Sequence, residues 1–243
     1  MNYHYEKEGG LKWPVSSGDV WKSGPHIFGC GDHESGMFDD FSYFFGPPDM
    51  AYVDPPWNQG NASTFRTKAE VEKRADFQKL IVAVINATRH VTGPVFMEMG
   101  KKEEANVICW AEREGMKVYQ SWEIMYYRKY PARLLYMGWD SEAAPVQFTL
   151  SPEGMDDEDT PKWAMQEIQP RTVLDPCMGR GGTAVAAHRL GIDSIGFELN
   201  PKRLSVTLEK LNKLGLAPER IRVDRLGSRH SDWVSLEDHD YGT

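Results

Sequence analysis

The run from Thr172 to Leu190 constrains the fold more than any other part of the chain. An apolar Thr-Val-Leu ends in Asp175, a turn follows with glycines at 179, 181 and 182, and a small-residue helix is predicted over Ala184 to Leu190. Ser194 to Leu199 then reads as a second strand ending in Glu198, and Pro201 opens a helix through Leu214, where its fixed φ suits the first turn. Two strands joined through a helix lie parallel, so this segment alone commits the chain to an α/β sheet with covered faces.

The glycine loop also narrows the ligand. Glycine lets backbone approach a bound molecule closely, and a helix amino terminus favours an anionic group. Glu198 lies nineteen positions after Gly179, near the spacing at which a carboxylate reaches ribose hydroxyls, which implies an adenosine-bearing cofactor. The dinucleotide fingerprint fits loosely, with Ala184 at its third position. Asp175 would repel a pyrophosphate and attract an ammonium group, which favours S-adenosylmethionine over a nicotinamide. No Gly-Lys-Ser/Thr is present, which excludes a P-loop.

The second stretch with chemistry is Asp54-Pro55-Pro56-Trp57, placed after the apolar run Met50 to Val53. Two prolines end a strand in a rigid turn whose carbonyls stay free as acceptors. Asp54 adds a carboxylate acceptor and Trp57 a flat face, so the four residues suit a planar aromatic amine. The plain alternative is a strand exit with Asp54 capping a turn and Trp57 packed on the core.

Around these stretches strand and helix alternate. Residues 1–25 read as an arm, and His26 to Cys30 as a strand leading to Gly31 and Asp32. Asn58 to Thr67 reads as a polar loop able to close over a ligand, and Lys68 to Val91 as one long helix. Val95 to Met99 is predicted as a buried strand and Lys102 to Arg113 as a helix. Met116 to Tyr127 is predicted as a strand, with Leu134 to Trp139 and Val146 to Leu150 as an antiparallel pair. Arg128, Lys129 and Arg133, interleaved with Tyr130, suit a phosphate backbone and a stacked base, although a solvated hairpin tip gives the same pattern. The acidic run Glu153 to Asp159 is expected to be exposed and off the binding face. A tail with Arg220, Arg222, Arg225 and Arg229 carries a final short strand at most.

With 243 residues, a net charge of −8 and a pI near 5.4, one substantial domain is expected, and whole-surface binding to nucleic acid is not. Three cysteines, at 30, 109 and 177 with no C-x-x-C, make neither a disulfide framework nor a zinc site, and His33 beside Cys30 lacks a second half-site, so no metal is expected. No run approaches the ~18 apolar residues of a membrane span, and a cytoplasmic location is expected.

Asp54-Pro55-Pro56-Trp57, Gly31-Asp32 and the loop Asp-Pro-Cys-Met-Gly-Arg-Gly-Gly-Thr at 175 to 183 together resemble the S-adenosylmethionine-dependent amino-methyltransferases of nucleobases. Because the Asp-Pro-Pro-Trp motif precedes the glycine loop, the order is similar to that of the permuted, β-type DNA adenine-N6 methyltransferases, over roughly residues 26 to 214. The resemblance implies a single doubly wound α/β domain of the permuted class I methyltransferase type. Its sheet would be mostly parallel and seven-stranded with one antiparallel strand, after an arm at 1–25. The catalytic half would lie at about 26–150 and the cofactor half at about 160–225.

The same resemblance implies roles. Asp175, Gly179 and Gly181 would hold the methionine end of S-adenosylmethionine, with Thr183 at the helix start, Lys162 on the carboxylate and Cys177 also among the cofactor-binding residues. Glu198, with Asn200 beside it, would hold the ribose, and Asp32 or Cys30 would meet the adenine. Asp54 and the Pro55 carbonyl would accept from the target amino group within the rigid turn that Pro56 completes, and Trp57 would stack on an extruded base. Asn58, Arg128, Lys129 and Arg133 would contact nucleic acid. Asp rather than Ser at 54 points to adenine N6 over cytosine N4, and DNA is the expected partner. Trp57, where the DNA enzymes have Tyr, keeps RNA adenine open. No separate recognition domain is expected at this length, so specificity would fall to the Asn58 to Thr67 loop and the Arg128 to Arg133 hairpin, or to a second subunit, with a homodimer or a partner subunit as the expected assembly. A catalytically silent partner and a nicotinamide oxidoreductase are the rival classes.

Overall fold

The computed structural model describes residues 12–71, 75–139 and 145–221. Among these, nine strands form one sheet: β1 (Val20–Ser23), β2 (His26–Cys30), β3 (Met50–Val53), β4 (Val95–Gly100), β5 (Lys117–Tyr126), β6 (Tyr130–Gly138), β7 (Thr172–Asp175), β8 (Asp193–Glu198) and β9 (Pro218–Ile221). Their order across the sheet is β5-β6-β4-β3-β7-β8-β2-β1-β9. The central strands β4, β3, β7, β8 and β2 are parallel, and an antiparallel pair flanks them at each edge.

The expected seven strands with one antiparallel member are therefore corrected, among the described residues, to nine, of which two, β6 and β1, run against the other seven. Part of the difference lies at β1, which falls inside the stretch read as an arm. Only four residues long, with Lys22 exposed, it has no periodicity to distinguish it from a loop with an anchoring Trp. β9 is the final short strand expected after Pro218. Arg220 on it pairs with Asp19, while Arg222, Arg225 and Arg229 lie outside the described residues.

Seven α-helices among the described residues cover the sheet: α1 (Met37–Ser42), α2 (Gln59–Lys68), α3 (Phe77–Ala87), α4 (Glu104–Arg113), α5 (Thr160–Ile168), α6 (Gly182–Arg189) and α7 (Pro201–Lys213). Strand alternation sorts them into two layers. Ala51, Val53, Val95 and Met97 pack with residues of α1, α3 and α4 on one face. On the other face, Met50, Tyr52 and Phe96 pack with α5, and Phe28 and Cys30 with α7. Both faces are covered, as the buried central strands require.

Three further expectations change. The predicted loop at 58–67 is helix α2, started by the Asn58 side chain accepting from the Asn61 amide at 2.9 Å. Only Ala62 and Arg66 of that helix are buried, so it shows no apolar stripe. The single helix expected over 68–91 is shorter, because Asp76 caps α3 by accepting from the Lys79 amide at 3.1 Å. Val146 to Leu150 is not a strand; the antiparallel pair is β5 with β6, and Phe148 fills an aromatic cluster with Phe96, Trp122, Tyr136 and Trp163.

Candidate active site

The parallel strands β3, β7, β8 and β2 bring their carboxyl ends to one edge of the sheet, the side on which open α/β sheets bind ligands. Asp54, Asp175, Glu198 and Cys30 with Asp32 all stand there. β7 and β8 are adjacent, and β7 is also next to β3, so the Asp-Pro-Pro-Trp turn and the glycine loop are neighbours although more than a hundred residues apart in sequence.

The loop after β7 is shaped by its glycines. Gly179 has φ 56° and Gly181 φ 72°, a region that side chains strain to enter. A Cβ at Gly181 would also lie 2.4 Å from Thr207 Cγ2, so only glycine lets α7 approach the loop. Asp175 is buried and accepts from the Cys177 amide at 3.1 Å and from the Thr183 hydroxyl. Burial pushes its carboxyl up to about 7 despite these bonds, and the charges of Asp54 and Glu198 add to the rise. Glu198 accepts from the Asn200 amide at 2.8 Å, and burial likewise raises it to about 7, opposed by bonds from the Asn200, Gly179 and Leu199 amides and by the Arg203 charge. Burial and the neighbouring carboxylates raise the Cys177 thiol, and Cys30, paired in register with Glu198, is pushed up to about 12. Both thiols are held in the neutral form.

Asp32 starts a short helical turn by accepting from the Glu34 amide, and both of its carboxylate oxygens receive Arg66 of α2, at 2.7 and 3.1 Å. Arg66, itself buried, also pairs with Glu34 at 2.9 Å. This bidentate clamp fastens α2 to the end of β2. Asn200 fastens the same last turn, donating from Nδ2 to the Lys68 carbonyl at 3.0 Å. Arg203 adds a third tie, stacking 4.4 Å over the Phe65 ring. The segment after the Asp-Pro-Pro-Trp turn is thus bound to the ends of β2 and β8 and to α7 by protein groups. Lys162 is exposed on the first turn of α5.

At the end of β3, Trp57 Nε1 donates to Asp54 Oδ1 at 3.0 Å, and the Trp57 ring meets Tyr126 edge-on at 4.7 Å. Asp54 is accessible to solvent, but surrounding protein still pushes its carboxyl up to about 6, against the Trp57 bond and the Arg203 charge. Pro55 is buried and Pro56 half-buried.

The β5–β6 turn passes beside this group. Tyr127 and Arg128 have φ of 50° and 54°, and the Lys129 amide donates to the Tyr126 carbonyl at 3.1 Å. This tight hairpin turn normally uses Asn or Gly, so two larger residues hold it under strain. Tyr127 packs on Tyr126 at 4.2 Å and is 58% exposed; Lys129 lies over Tyr130, 52% exposed. Arg128 projects outward, within 3.6 Å of Asp156, whereas Arg133 is drawn back to Glu104 at 3.0 Å and Glu123 at 3.7 Å. Of the cations placed on a nucleic-acid face, Arg128 and Lys129 stand at the tip and Arg133 does not.

The acidic run is where the expectation fails most. It is not off the site: Gly154 and Asp157 amides donate to the Glu123 and Met125 carbonyls, and the Met125 amide to that of Met155, so the run is stitched along β5. Asp157 accepts from the Tyr127 amide at 3.2 Å. Burial raises its carboxyl to about 6, with Asp156 and Asp54 contributing. A charge run reads as solvated from sequence alone, and its backbone pairing left no pattern to find.

Sequence reasoning also passed over Arg203, which acts on both Asp54 and Glu198, and Glu98, a lone acid in the apolar run of β4. The second had a signal, because an isolated carboxylate in a buried strand needs a partner.

No protein-family model and no curated protein sequence matches the chain. Solved structures do resemble it in fold. M1.HpyAVI superposes with a TM-score of 0.56 at 17% identity, over 76% of this chain and 98% of its own. TTHA0409, a proposed DNA modification methylase of Thermus thermophilus solved with S-adenosyl-L-methionine, gives 0.54 at 15% identity over 77% of this chain and 93% of its own. M1.HpyAVI has also been solved with S-adenosylmethionine. The likeness fixes the architecture of the sheet and its helices.

Proposed function

We propose that the protein is an S-adenosylmethionine-dependent methyltransferase acting on adenine N6 in DNA, with the permuted order of catalytic and cofactor halves. The observation that carries this is the placement of Asp54 and Trp57 beside the glycine loop, with the Trp57 donor fixed on the Asp54 carboxylate.

The residues present fit the cofactor. Asp175 and Glu198, two buried carboxylates around a loop that only glycine can form, suit an ammonium group and ribose hydroxyls and would repel a pyrophosphate. When bound, S-adenosylmethionine supplies an electrophilic methyl group on sulfur. Asp175 and the Gly179 to Gly181 backbone would hold its methionine end and Glu198 its ribose. Cys177, Thr183 and Asn200 shape these groups from behind, while Cys30, Asp32 and Lys162 complete the proposed set. Fold likeness to two structures solved with this molecule supports the reading.

The lone pair of an exocyclic amine is delocalised into the ring and attacks poorly. Asp54 and the Pro55 carbonyl would accept its two N–H bonds and pull the nitrogen toward tetrahedral geometry, localising the pair. The nitrogen would give up a proton on methylation, and Asp54 would accept it or pass it to water. With a carboxyl near 6, Asp54 is an acceptor at neutral pH. Holding the amine in place would supply the rest. Trp57 would stack on the extruded base, with Asn58, Arg128 and Lys129 on the flanking strand.

Labelled methyl transfer to DNA and to RNA, with the product nucleoside identified, tests this. N6-methyladenine in DNA is expected, and no transfer to any nucleic acid overturns it. Trp57 makes RNA adenine the second reading, and the same assay with RNA decides between them.

A further inference from the structure

Glu98 is 2% exposed on β4 and has no place in the scheme above. Val53 pairs in register with Met97, so one residue further on Glu98 stands opposite Asp54, on the same face as Tyr52. Four oxygen contacts meet there. Tyr52 Oη lies against Glu98 Oε1 and 2.6 Å from Thr160 Oγ1, which is 2.8 Å from Glu98 Oε1 and 2.8 Å from the Asp157 carbonyl.

Counting protons favours a neutral Glu98. Tyr52 and Thr160 bring one each. If Glu98 were ionised, these two protons could bridge only two of the four contacts, whichever way they point, and two close oxygen pairs would have none between them. With a proton on Glu98, one directional chain runs from the Glu98 hydroxyl to Tyr52, from Tyr52 to Thr160, and from Thr160 to the Asp157 carbonyl, and only the Thr160–Glu98 contact is left without a proton. The groups acting on Glu98 from neighbouring elements, Asp54, Tyr52 and Asp157, are all acidic, and burial with the Asp54 charge holds its carboxyl well above the usual range.

We propose that Glu98 is a positioning residue that keeps its proton throughout the reaction, so that Asp54 alone carries the charge that meets the target amine, and that its hydrogen-bond chain ties β4, β3 and α5 beneath that carboxylate. This rests on the methyltransferase reading for its role, while the protonation itself does not. An ionised neighbour on the next strand would drive the proton onto Asp54 and remove the acceptor.

Infrared difference spectra of the full chain, wild type minus E98Q at about pH 8, far above the ordinary carboxylate range, are expected to show a protonated-carboxyl C=O band that E98Q lacks. No such band overturns the proposal, whether or not the protein transfers methyl groups. In kinetics, E98Q keeps a donor to Tyr52 and is expected to hold kcat within about threefold and leave the acid limb of the pH profile in place. An acid limb that moves to lower pH would mean that a charge had been removed beside Asp54, and would also overturn it.

Discussion

At the ends of β7 and β8, Asp175 and Glu198 are buried and held by backbone amides, whereas at the end of β3 Asp54 is accessible and held by one side-chain donor, Trp57. Amides in a loop are placed by backbone conformation, so the first pair is fixed by the glycines at 179 and 181. Asp54 is placed by two prolines and tuned by a side chain that can be exchanged. The glycine-loop end is therefore rigid and intolerant, and the Asp54 end adjustable. On the proposed reading, that division suits a site that holds one cofactor and admits a bulky nucleotide.

The sharpest way to break the comparison is Asp54→Ala. It should lower kcat by about a hundredfold or more while calorimetry shows S-adenosylmethionine binding unchanged. Loss of cofactor binding as well would mean that the two ends are one unit.

Asp175→Asn should do the reverse, weakening cofactor binding by at least roughly tenfold and raising the stability of the ligand-free protein. The folded carboxyl titrates near 7 against an ordinary 3.8. As pH falls, the folded state takes the proton before the unfolded chain does. The group's contribution to stability is thus fully present below the unfolded value and lost as pH rises through about 7. Asn has no charge to bury, so thermal melts should place the variant a few degrees above wild type at about pH 8 and level with it at about pH 4. A variant that melts lower at pH 8 would mean that the ionised Asp175 stabilises the empty fold.

Gly181→Ala tests the rigidity itself. A left-handed φ and a methyl 2.4 Å from Thr207 Cγ2 should destabilise by about 1–3 kcal/mol, read as a fall of several degrees in Tm. An unchanged Tm would show that the loop is softer than its contacts suggest.

The rigid end was the more legible in sequence for the same reason. Glycines before a helix, an acid at the end of each strand and Pro201 at a helix start are local signals, and β2, β3 and β7 fall where their apolar runs place them. What was missed depends on contacts remote in sequence. Helix α2 has no apolar stripe because a buried Arg66 anchors it to Asp32 and Glu34. The acidic run lies along β5 through main-chain bonds that no side-chain pattern announces. Arg203 reaches Phe65 from a helix far along the chain, and no spacing rule connects them.

The smallest effect expected is also the one that separates the two roles of Trp57. Trp57→Phe keeps an aromatic face for stacking and for Tyr126, but removes the Nε1 donor at 3.0 Å from Asp54. A donor to a carboxylate favours the charged form, so its loss lifts the Asp54 carboxyl above about 6. The fraction of Asp54 able to accept from the amine then falls near neutrality and recovers at higher pH. The acid limb of kcat/KM should move to higher pH, with a loss of roughly threefold at pH 7 that closes above pH 8. A loss that persists at high pH would assign the effect to stacking, and the Asp54 end would then be set by the shape of Trp57 rather than by its proton.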